Sequence, residues 1–321
     1  MSKFELLKDC RVRRDVSSNQ LTTFGVGKGV SLLVEPETVE SLLTVLKDLD
    51  DKPLFLGNGS NLILPDSWIT RPVIRLPKTL SGPVPKDSLL AEALLDFRGQ
   101  SFYAGTSLIN LSRTFSNAGM SGLEFAAGIP GTLGGAIKMN AGAHGESISS
   151  VISGVIVTDS TGNLRSLSRE QLEFSYRHSL IKDSVIKDSS IKDGALSNGL
   201  LVLAASIELQ SGEREQIRAR RQSCLEYRTK TQPLKMPSAG SVFRNPVDSL
   251  NPVAAAAVYL EQVGLKGYQH QGVGYSDMHS NWLVRLDDFA RAQAVVELIE
   301  LGKKRVFENC GLNLTPEILL W

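Results

Sequence analysis

Hydrophobic and polar positions along this chain alternate between two periodicities over short distances. In "SLLVEPETVESLLTVLKDL" (31–49) an apolar run gives way to Glu35-Pro36-Glu37-Thr38, after which Val39, Leu42, Leu43, Val45 and Leu46 return at helical spacing. That order predicts a strand and then a helix with a proline-containing start. "KPLFLGNGSNLIL" (52–64) reads as strand, glycine loop, strand. Residues 82–104 mix apolar and polar segments in a manner suggestive of strands. "TSLINLSRTFSNAGMSGLE" (106–124) predicts a helix stopped at Asn117-Ala118-Gly119. Two β-rich runs around Ser160-Thr161-Gly162-Asn163 make "ISGVIVTDSTGNLRSLS" (152–168) a hairpin. A basic helix is expected in "REQIRARRQSCLEYRTKTQP" (214–233), ending before Pro233. Further helices are expected near 252–263 and 287–305, with the strand-like "NWLVRL" between them. The triplet "IKD" recurs at five-residue spacing within 179–194, too short a period for a solenoid, and reads as an exposed hairpin or insertion loop. The class is mixed α+β. The lack of strict βαβ alternation counts against a doubly wound nucleotide-binding sheet.

Composition narrows this picture. The 321 residues suffice for two or three domains, and 42% hydrophobic with 21% charged residues is ordinary for a globular protein with a sizeable core. A formal net charge of +1 argues against a nucleic-acid or membrane surface, leaving room for a local basic pocket. Cys10, Cys224 and Cys310 are far apart, with no CxxC, so neither a metal site nor a disulfide framework is expected. The charged start "MSKFELLKDCRVRRD" lacks the apolar core of a secretory signal, and no stretch reaches the roughly 18 apolar residues of a spanning helix. A cytoplasmic location is expected.

Candidate chemistry concentrates in three places. The first is Gly57-Asn58-Gly59-Ser60-Asn61. Glycines let backbone N–H groups approach an anion, and Ser and Asn add donors. The loop departs from the Rossmann pattern at Leu62 and from the ATPase loop in lacking Gly-Lys-Ser/Thr, so a tight turn and a phosphate cradle explain it equally. The second is "GLEFAAGIPGTLGGAIKMNAGAHG" (122–145), with glycines at 122, 128, 131, 134, 135, 142 and 145. Pro130 sits where a first helical residue would, which predicts a short helix over "PGTLGGAIKMN" with its N-terminus aimed at an anion. Such a bare surface suits a large flat ligand; a small-residue packing helix is the alternative, disfavoured because each helical glycine costs about 1 kcal/mol relative to alanine. The third is a set of polar residues in "SYRHS" (175–179), "PSAGSVFRNP" (237–246) and "LTPEILLW" (314–321), where Glu317 is a carboxylate in an apolar tail. Ser241 has no Gly-x-Ser-x-Gly elbow around it, which argues against a hydrolase nucleophile.

Taken in order, "GNGSN", "GLEFAAGIPGTLGGAIKMNAGAHG", "YRHS", "TQPLKMPSAGSVFRNP" and "LTPEI" resemble the UDP-N-acetylenolpyruvoylglucosamine reductase (MurB) family, from about Thr22 to Glu317. The resemblance implies an α+β fold: a two-lobed FAD-binding region of the vanillyl-alcohol-oxidase type, lobes 1–80 and 81–210, plus a smaller α+β substrate-binding domain, 211–310. Residues 311–321 would form a C-terminal segment returning to the active site. It implies a flavoenzyme in which NADPH reduces FAD and hydride passes to the enolpyruvyl group of a UDP-sugar, giving UDP-N-acetylmuramate for cell-wall synthesis. Under it, the 57–61 loop cradles the FAD pyrophosphate, and Gly122, Ala127, Gly128, Ile129, Pro130, Gly131, Thr132, Gly134, Gly135, Asn140, Gly142 and Ala143 form the wall beside the cofactor. Arg177, Ser241 and Glu317 are the implied catalytic residues, with Tyr176, Arg177 and Asn245 touching substrate. A monomer is expected. The direct passage from "LVLAASIELQ" to the basic helix resembles the shorter type, which lacks an extra tyrosine-bearing loop; Arg285 stands where the family usually has asparagine. The rival readings are another FAD oxidoreductase of the same fold, an alcohol or hydroxy-acid oxidase, and a catalytically silent flavin- or nucleotide-sugar-binding protein.

Overall fold

The computed structural model describes residues 9–183, 199–246 and 254–321. The chain forms two compact units that interleave along the sequence. The first takes residues up to Arg14, Leu32–Asn58 and Thr70–Glu226, and the second takes Asp15–Ser31, Gly59–Ile69 and Tyr227–Trp321.

Two sheets organise the first unit. In one, strands Cys10–Ser17, Gly29–Pro36, Val73–Arg75 and Leu54–Leu56 lie in that order, with Leu33 and Leu54 both in parallel register with Val73. Helix α1 (Val39–Asp48) follows Pro36, as the pattern predicts. A reciprocal capping box between Thr38 and Ser41 starts it, satisfying amides that the first turn leaves orphaned. Its Leu42, Val45 and Leu46 are buried against Val34, Ile74, Leu80 and Leu203, each worth about 1.5–3 kcal/mol.

The other sheet is antiparallel throughout, ordered Leu164–Ser168, Ile152–Asp159, Leu200–Ile207, Gln100–Tyr103. The predicted 152–168 hairpin is present. Its turn is tied by the Asp159 carboxylate, which accepts from the amides of Thr161 and Asn163. Residues 82–104 depart from the all-strand expectation: only Gln100–Tyr103 is a β-strand of this sheet, and Leu89–Ala93 is helix α2, capped by the Ser88 hydroxyl. Leu90 and Leu94, four residues apart and both buried, are the helical signal there. Helix α3 (Leu108–Asn117) ends where expected, at Gly119 with φ +73°. Together with α4 (Leu133–Met139) it packs Leu111, Phe115, Leu133 and Ile137 onto Val155, Val157 and Val202. The short α5 (Leu180–Asp183) follows, and the rest of the "IKD" segment, 184–194, lies outside the described residues. Helix α6 (Arg214–Thr231) is the expected basic helix.

The second unit is built on an antiparallel meander ordered Ser238–Ser241, Trp282–Arg285, Val273–Tyr275, Gln269–His270. Helices α7 (Ala256–Gln262) and α8 (Ala292–Cys310) supply Leu260, Val295, Leu298 and Val306 to a core shared with Phe24, Phe243 and Tyr275. Helix α8 begins later than the 287 expected. The Asp287 carboxylate turns back to the Phe289 amide, and the amides of Ala292 and Gln293 are instead capped by the distant Asp66 carboxylate. That cap is invisible to local pattern. The C-terminal Leu319–Leu320 pairs in parallel with Leu62–Ile63, directly after the glycine loop.

Candidate functional site

The first unit carries a cavity of about 1150 Å³, somewhat above the roughly 300–1,000 Å³ usual for ligand pockets. Two sequence motifs meet on its wall: Gly57 and Asn58 from one, and Gly131, Thr132, Gly134 and Gly135 from the other. A Cβ on Gly57 or Gly135 would find only the Thr132 hydroxyl, at 3.4 and 3.5 Å. These two glycines therefore leave a bare surface toward the cavity. Gly134 has a different reason: a Cβ there would come within 2.9 Å of the Ala104 Cβ, so the glycine lets α4 press onto the chain beside it. The dimensions and the stripped wall fit a dinucleotide such as FAD.

Helix α4 begins at Leu133 and not at the expected Pro130, with Thr132 as its N-cap. Its first amides are also engaged. Leu133 donates to the Thr106 carbonyl, Gly134 to the Ala104 carbonyl, and Gly135 to the Thr132 hydroxyl. The expectation that this helix aims its N-terminal amides at an anion is thus corrected, because the segment after strand Gln100–Tyr103 takes two of them and the helix's own Thr132 cap takes the third. Cavity residues that the sequence reading missed include Thr106, Arg75 and Lys138. Arg75 makes a 2.6 Å ion pair with the buried Glu35. Burial, and then the neighbouring Lys182 charge, pull the Lys138 ammonium down to a pKa of about 8.

Other parts of the 122–145 stretch lie off this wall. Gly122 donates to the Glu124 carboxylate, and a Cβ on it would strike Leu209 and Val151. Asn140 caps α4 in a left-handed conformation, while its buried side chain donates to the Ser175 carbonyl and accepts from the Ser149 amide. Ala127 is buried and Pro130 exposed, with Gly128 and Ile129 half-buried between them. Gly142 and Ala143 pair with Ser147 and Glu146 in a two-residue ladder. The 57–61 loop is divided as well, since Gly59, Ser60 and Asn61 belong to the second unit. There Gly59 is buried at φ +61°, and a Cβ would hit the Leu21 carbonyl at 2.1 Å, so tight packing accounts for this glycine.

Tyr176 and Arg177 form the tip of a two-residue turn closed by reciprocal Ser175–His178 backbone hydrogen bonds of 3.2 and 3.0 Å. Arg177 has φ +56°, a region that L-residues other than Asn and Asp enter rarely. Its Nη2 donates to the Gly142 carbonyl at 2.8 Å, and its guanidinium lies 5.2 Å from the Tyr176 ring centroid. A planar fork held at a half-buried, strained turn tip is suited to pairing a carboxylate.

In the second unit, Ser241 ends the strand Ser238–Ser241 opposite Trp282. The following residues are clamped on two sides. Asn281, buried, accepts from the Phe243 amide and donates back to its carbonyl, while Val242 donates to the Asn281 carbonyl. From the C-terminal tail, Glu317 donates its amide to the Val242 carbonyl, and Arg244 donates to the Thr315 carbonyl. The tail thereby brings Glu317, half-buried, beside the segment that carries Ser241. Asn61 donates to the Glu317 carbonyl at 3.0 Å, which ties the glycine loop's last residue to the same place. The Asn245 side chain accepts from the Ala256 amide at the start of α7.

The same unit holds polar atoms that are buried without a hydrogen-bond partner: Arg228 Nε, Gln232 Oε1, Arg244 Nε and Trp282 Nε1. Arg228 is only 8% exposed, and burial draws its pKa down to about 10. No ion pair to Arg228 is present among the described residues; a buried cation is costly, and an anionic ligand would offset that cost.

Known proteins agree with this reading of motifs and fold. Residues 232–321 match the family described as UDP-N-acetylenolpyruvoylglucosamine reductase, C-terminal domain, and residues 30–168 match the family described as FAD binding domain. The UDP-N-acetylenolpyruvoylglucosamine reductase of Anoxybacillus flavithermus is 35% identical over 92% of this chain and 90% of its own. That of Bacillus subtilis is 34% identical, with 97% and 95% covered. The crystal structure of the reductase (MurB) from Thermus caldophilus superimposes with a TM-score of 0.76 at 31% identity, covering 97% of this chain and 99% of that one. The chain therefore belongs to the UDP-N-acetylenolpyruvoylglucosamine reductase (MurB) family.

Proposed function

We propose that this protein reduces the enolpyruvyl group of UDP-N-acetylglucosamine enolpyruvate to UDP-N-acetylmuramate, with FAD as cofactor and NADPH as reductant, in peptidoglycan precursor synthesis. The observation that carries the proposal is the glycine-walled cavity of about 1150 Å³ in which the two motifs typical of this family meet. FAD, when bound, supplies two-electron chemistry, taking hydride from NADPH and delivering it to the enolpyruvyl double bond. Gly57, Asn58 and the Gly131–Gly135 segment would hold it.

The protein's own groups handle the charge and the proton. Once the double bond has gained hydride, negative charge spreads from the carbon beside the carboxylate into that carboxylate. Arg177 pairs with it through its guanidinium fork. Ser241 delivers a proton to that carbon, as a weak acid that neighbouring groups must activate. Glu317 assists at the same step, and Tyr176 and Asn245 contact the sugar nucleotide. The protein works as a cytoplasmic monomer on soluble anionic substrates; no helix among the described residues is long and apolar enough to cross a membrane.

An absorption spectrum of the purified protein tests the cofactor, and anaerobic mixing tests the reaction. NADPH should bleach the flavin bands, and the enolpyruvyl sugar should restore them. A folded, colourless protein that FAD cannot turn yellow removes the proposal. Bleached flavin that reoxidises with oxygen but ignores the sugar removes the substrate assignment.

A further inference from the structure

Strand register leaves Ser241 without a regular ladder on its N-terminal side. Ser238 pairs with Val284 and Ser241 with Trp282, so the register slips between them, and Gly240 takes φ +83° within the slip. An irregularity of this kind re-aims a side chain but does not hold it in place. The residues that follow Ser241 are held by Asn281. Its carbonyl accepts from the Val242 amide at 2.9 Å, its Oδ1 accepts from the Phe243 amide at 2.9 Å, and its Nδ2 donates to the Phe243 carbonyl at 2.8 Å. We infer that Asn281 is a positioning residue for proton delivery, fixing the backbone that sets where the Ser241 hydroxyl stands.

The chemistry of the side chain supports the assignment. A carboxamide carries an acceptor and a donor on a short stem. Asn281 therefore gives Phe243 the exchange of N–H···O bonds that a residue of a neighbouring antiparallel strand would give. Asn281 is 3% exposed and Phe243 1%, so water cannot replace either bond. The same burial keeps Asn281 away from the sugar nucleotide, and it acts through Ser241. Its own backbone is fixed, with its amide donating to His279 Nδ1 at 3.2 Å. Trp282, next in sequence, is the residue that pairs with Ser241. A shift at Asn281 thus reaches Ser241 from across the sheet and from along the chain. On the other side of the segment the tail holds Val242 and Arg244 through the Glu317 amide and the Thr315 carbonyl, backbone bonds that survive a change of side chain.

The inference rests on the proposed reaction, and the test separates the two. Full-length, flavin-loaded wild type, Asn281→Asp, Asn281→Ser and Ser241→Ala are followed through both half-reactions by anaerobic stopped-flow absorbance. Ionised Asn281→Asp keeps an acceptor for the Phe243 amide but has no donor for its carbonyl, and Asn281→Ser is too short to make both bonds. At saturating enolpyruvyl sugar both should reoxidise the flavin about 10- to 100-fold more slowly than wild type, the loss expected when a reacting group is displaced by about 1 Å. The sugar concentration for half-maximal rate should move less than about threefold, and reduction by NADPH less than about twofold. Added to Ser241→Ala, either substitution should slow reoxidation by no more than about a further twofold, because nothing is left for Asn281 to position. Losses that multiply in the double variant, that appear equally in the NADPH step, or that appear in the half-maximal sugar concentration overturn the inference. A fall in thermal stability with both rates intact overturns it too, and so does failure of both Asn281 variants to fold, which would assign the residue to folding. Ser241→Ala that reoxidises like wild type removes the role of Ser241 and the inference with it. Wild-type flavin that the sugar leaves reduced overturns the proposed function itself.

Discussion

Arg177 sits at φ +56°, where glycine is comfortable and arginine is not. If the guanidinium is there to pair a carboxylate, the strain is tolerated for function, and stability and activity should separate on substitution. Consider Arg177→Gly and Arg177→Ala, both of which remove the guanidinium. A non-glycine residue in the left-handed region costs about 1–2 kcal/mol, and glycine loses about 0.4–1 kcal/mol more backbone entropy on folding. The difference leaves the glycine variant more stable than the alanine variant by about 0.5–1 kcal/mol. Against wild type, both lose the 2.8 Å hydrogen bond to the Gly142 carbonyl, worth about 1 kcal/mol at a half-exposed site. Arg177→Gly should therefore match wild type, because strain relief and lost bond nearly cancel. Urea unfolding followed by far-UV circular dichroism measures these differences. Sugar-dependent reoxidation of the flavin should fall about 10²- to 10³-fold in both variants, the usual loss when one anion-stabilising group is removed, whereas reduction by NADPH stays near normal. A glycine variant less stable than the alanine variant refutes the strain argument. Retention of more than about a tenth of the reoxidation rate refutes the catalytic one.

Ser241→Ala should leave flavin reduction by NADPH near wild type and slow reoxidation by the sugar at least about 100-fold in stopped-flow absorbance; equal loss in both half-reactions would assign Ser241 to folding or cofactor binding. Gly135→Ala adds a methyl that meets only the Thr132 hydroxyl at 3.5 Å, so thermal stability should hold or rise by up to about 1 kcal/mol from helix propensity, while FAD affinity falls at least about tenfold as the methyl enters the cavity. Gly134→Ala, with its Cβ 2.9 Å from that of Ala104, should instead destabilise by about 1–3 kcal/mol; if the two variants behave alike in both assays, the cofactor lies elsewhere. For pH dependence, folding lowers the Lys138 pKa from 10.5 to about 8, so between those values the unfolded chain holds more protons than the folded one. Stability of the flavin-free protein should rise with pH across that window relative to Lys138→Gln, and a difference that is flat or falls removes the assignment of a desolvated ammonium.

Much of the fold was legible because local rules carried it. Thr38 with Ser41, Gly119, and the Ser160–Asn163 turn act within a few residues of the elements they start or stop. The parts that were not legible depend on partners far along the chain. Asp66 caps a helix that begins at Ala292. Asn281 clamps Phe243 through both its side-chain atoms. The crossings between units at 14–15, 31–32, 58–59, 69–70 and 226–227 leave no mark in composition, since three of them fall within continuous elements, the strands Cys10–Ser17 and Gly29–Pro36 and helix α6. The motifs that suggested a nucleotide were visible as glycine, but a glycine does not state its reason. Gly59 and Gly134 answer to packing, whereas a Cβ on Gly57 or Gly135 would meet only the Thr132 hydroxyl.

That distinction changes how an anion is held in this molecule. A glycine-rich loop invites the inference that backbone amides bind phosphate, as they do where a loop opens a long helix. Here the amides at the start of α4 are taken by Ala104, Thr106 and Thr132, which fastens the helix to the end of strand Gln100–Tyr103. Fastening makes the wall rigid and bare at once, but it removes the donors. Charge beside that wall then comes from side chains: Arg11, Arg13, Arg75, Lys78 and Lys138 all line the cavity. Bare backbone in this family member leaves the access open, and the cations stand around it.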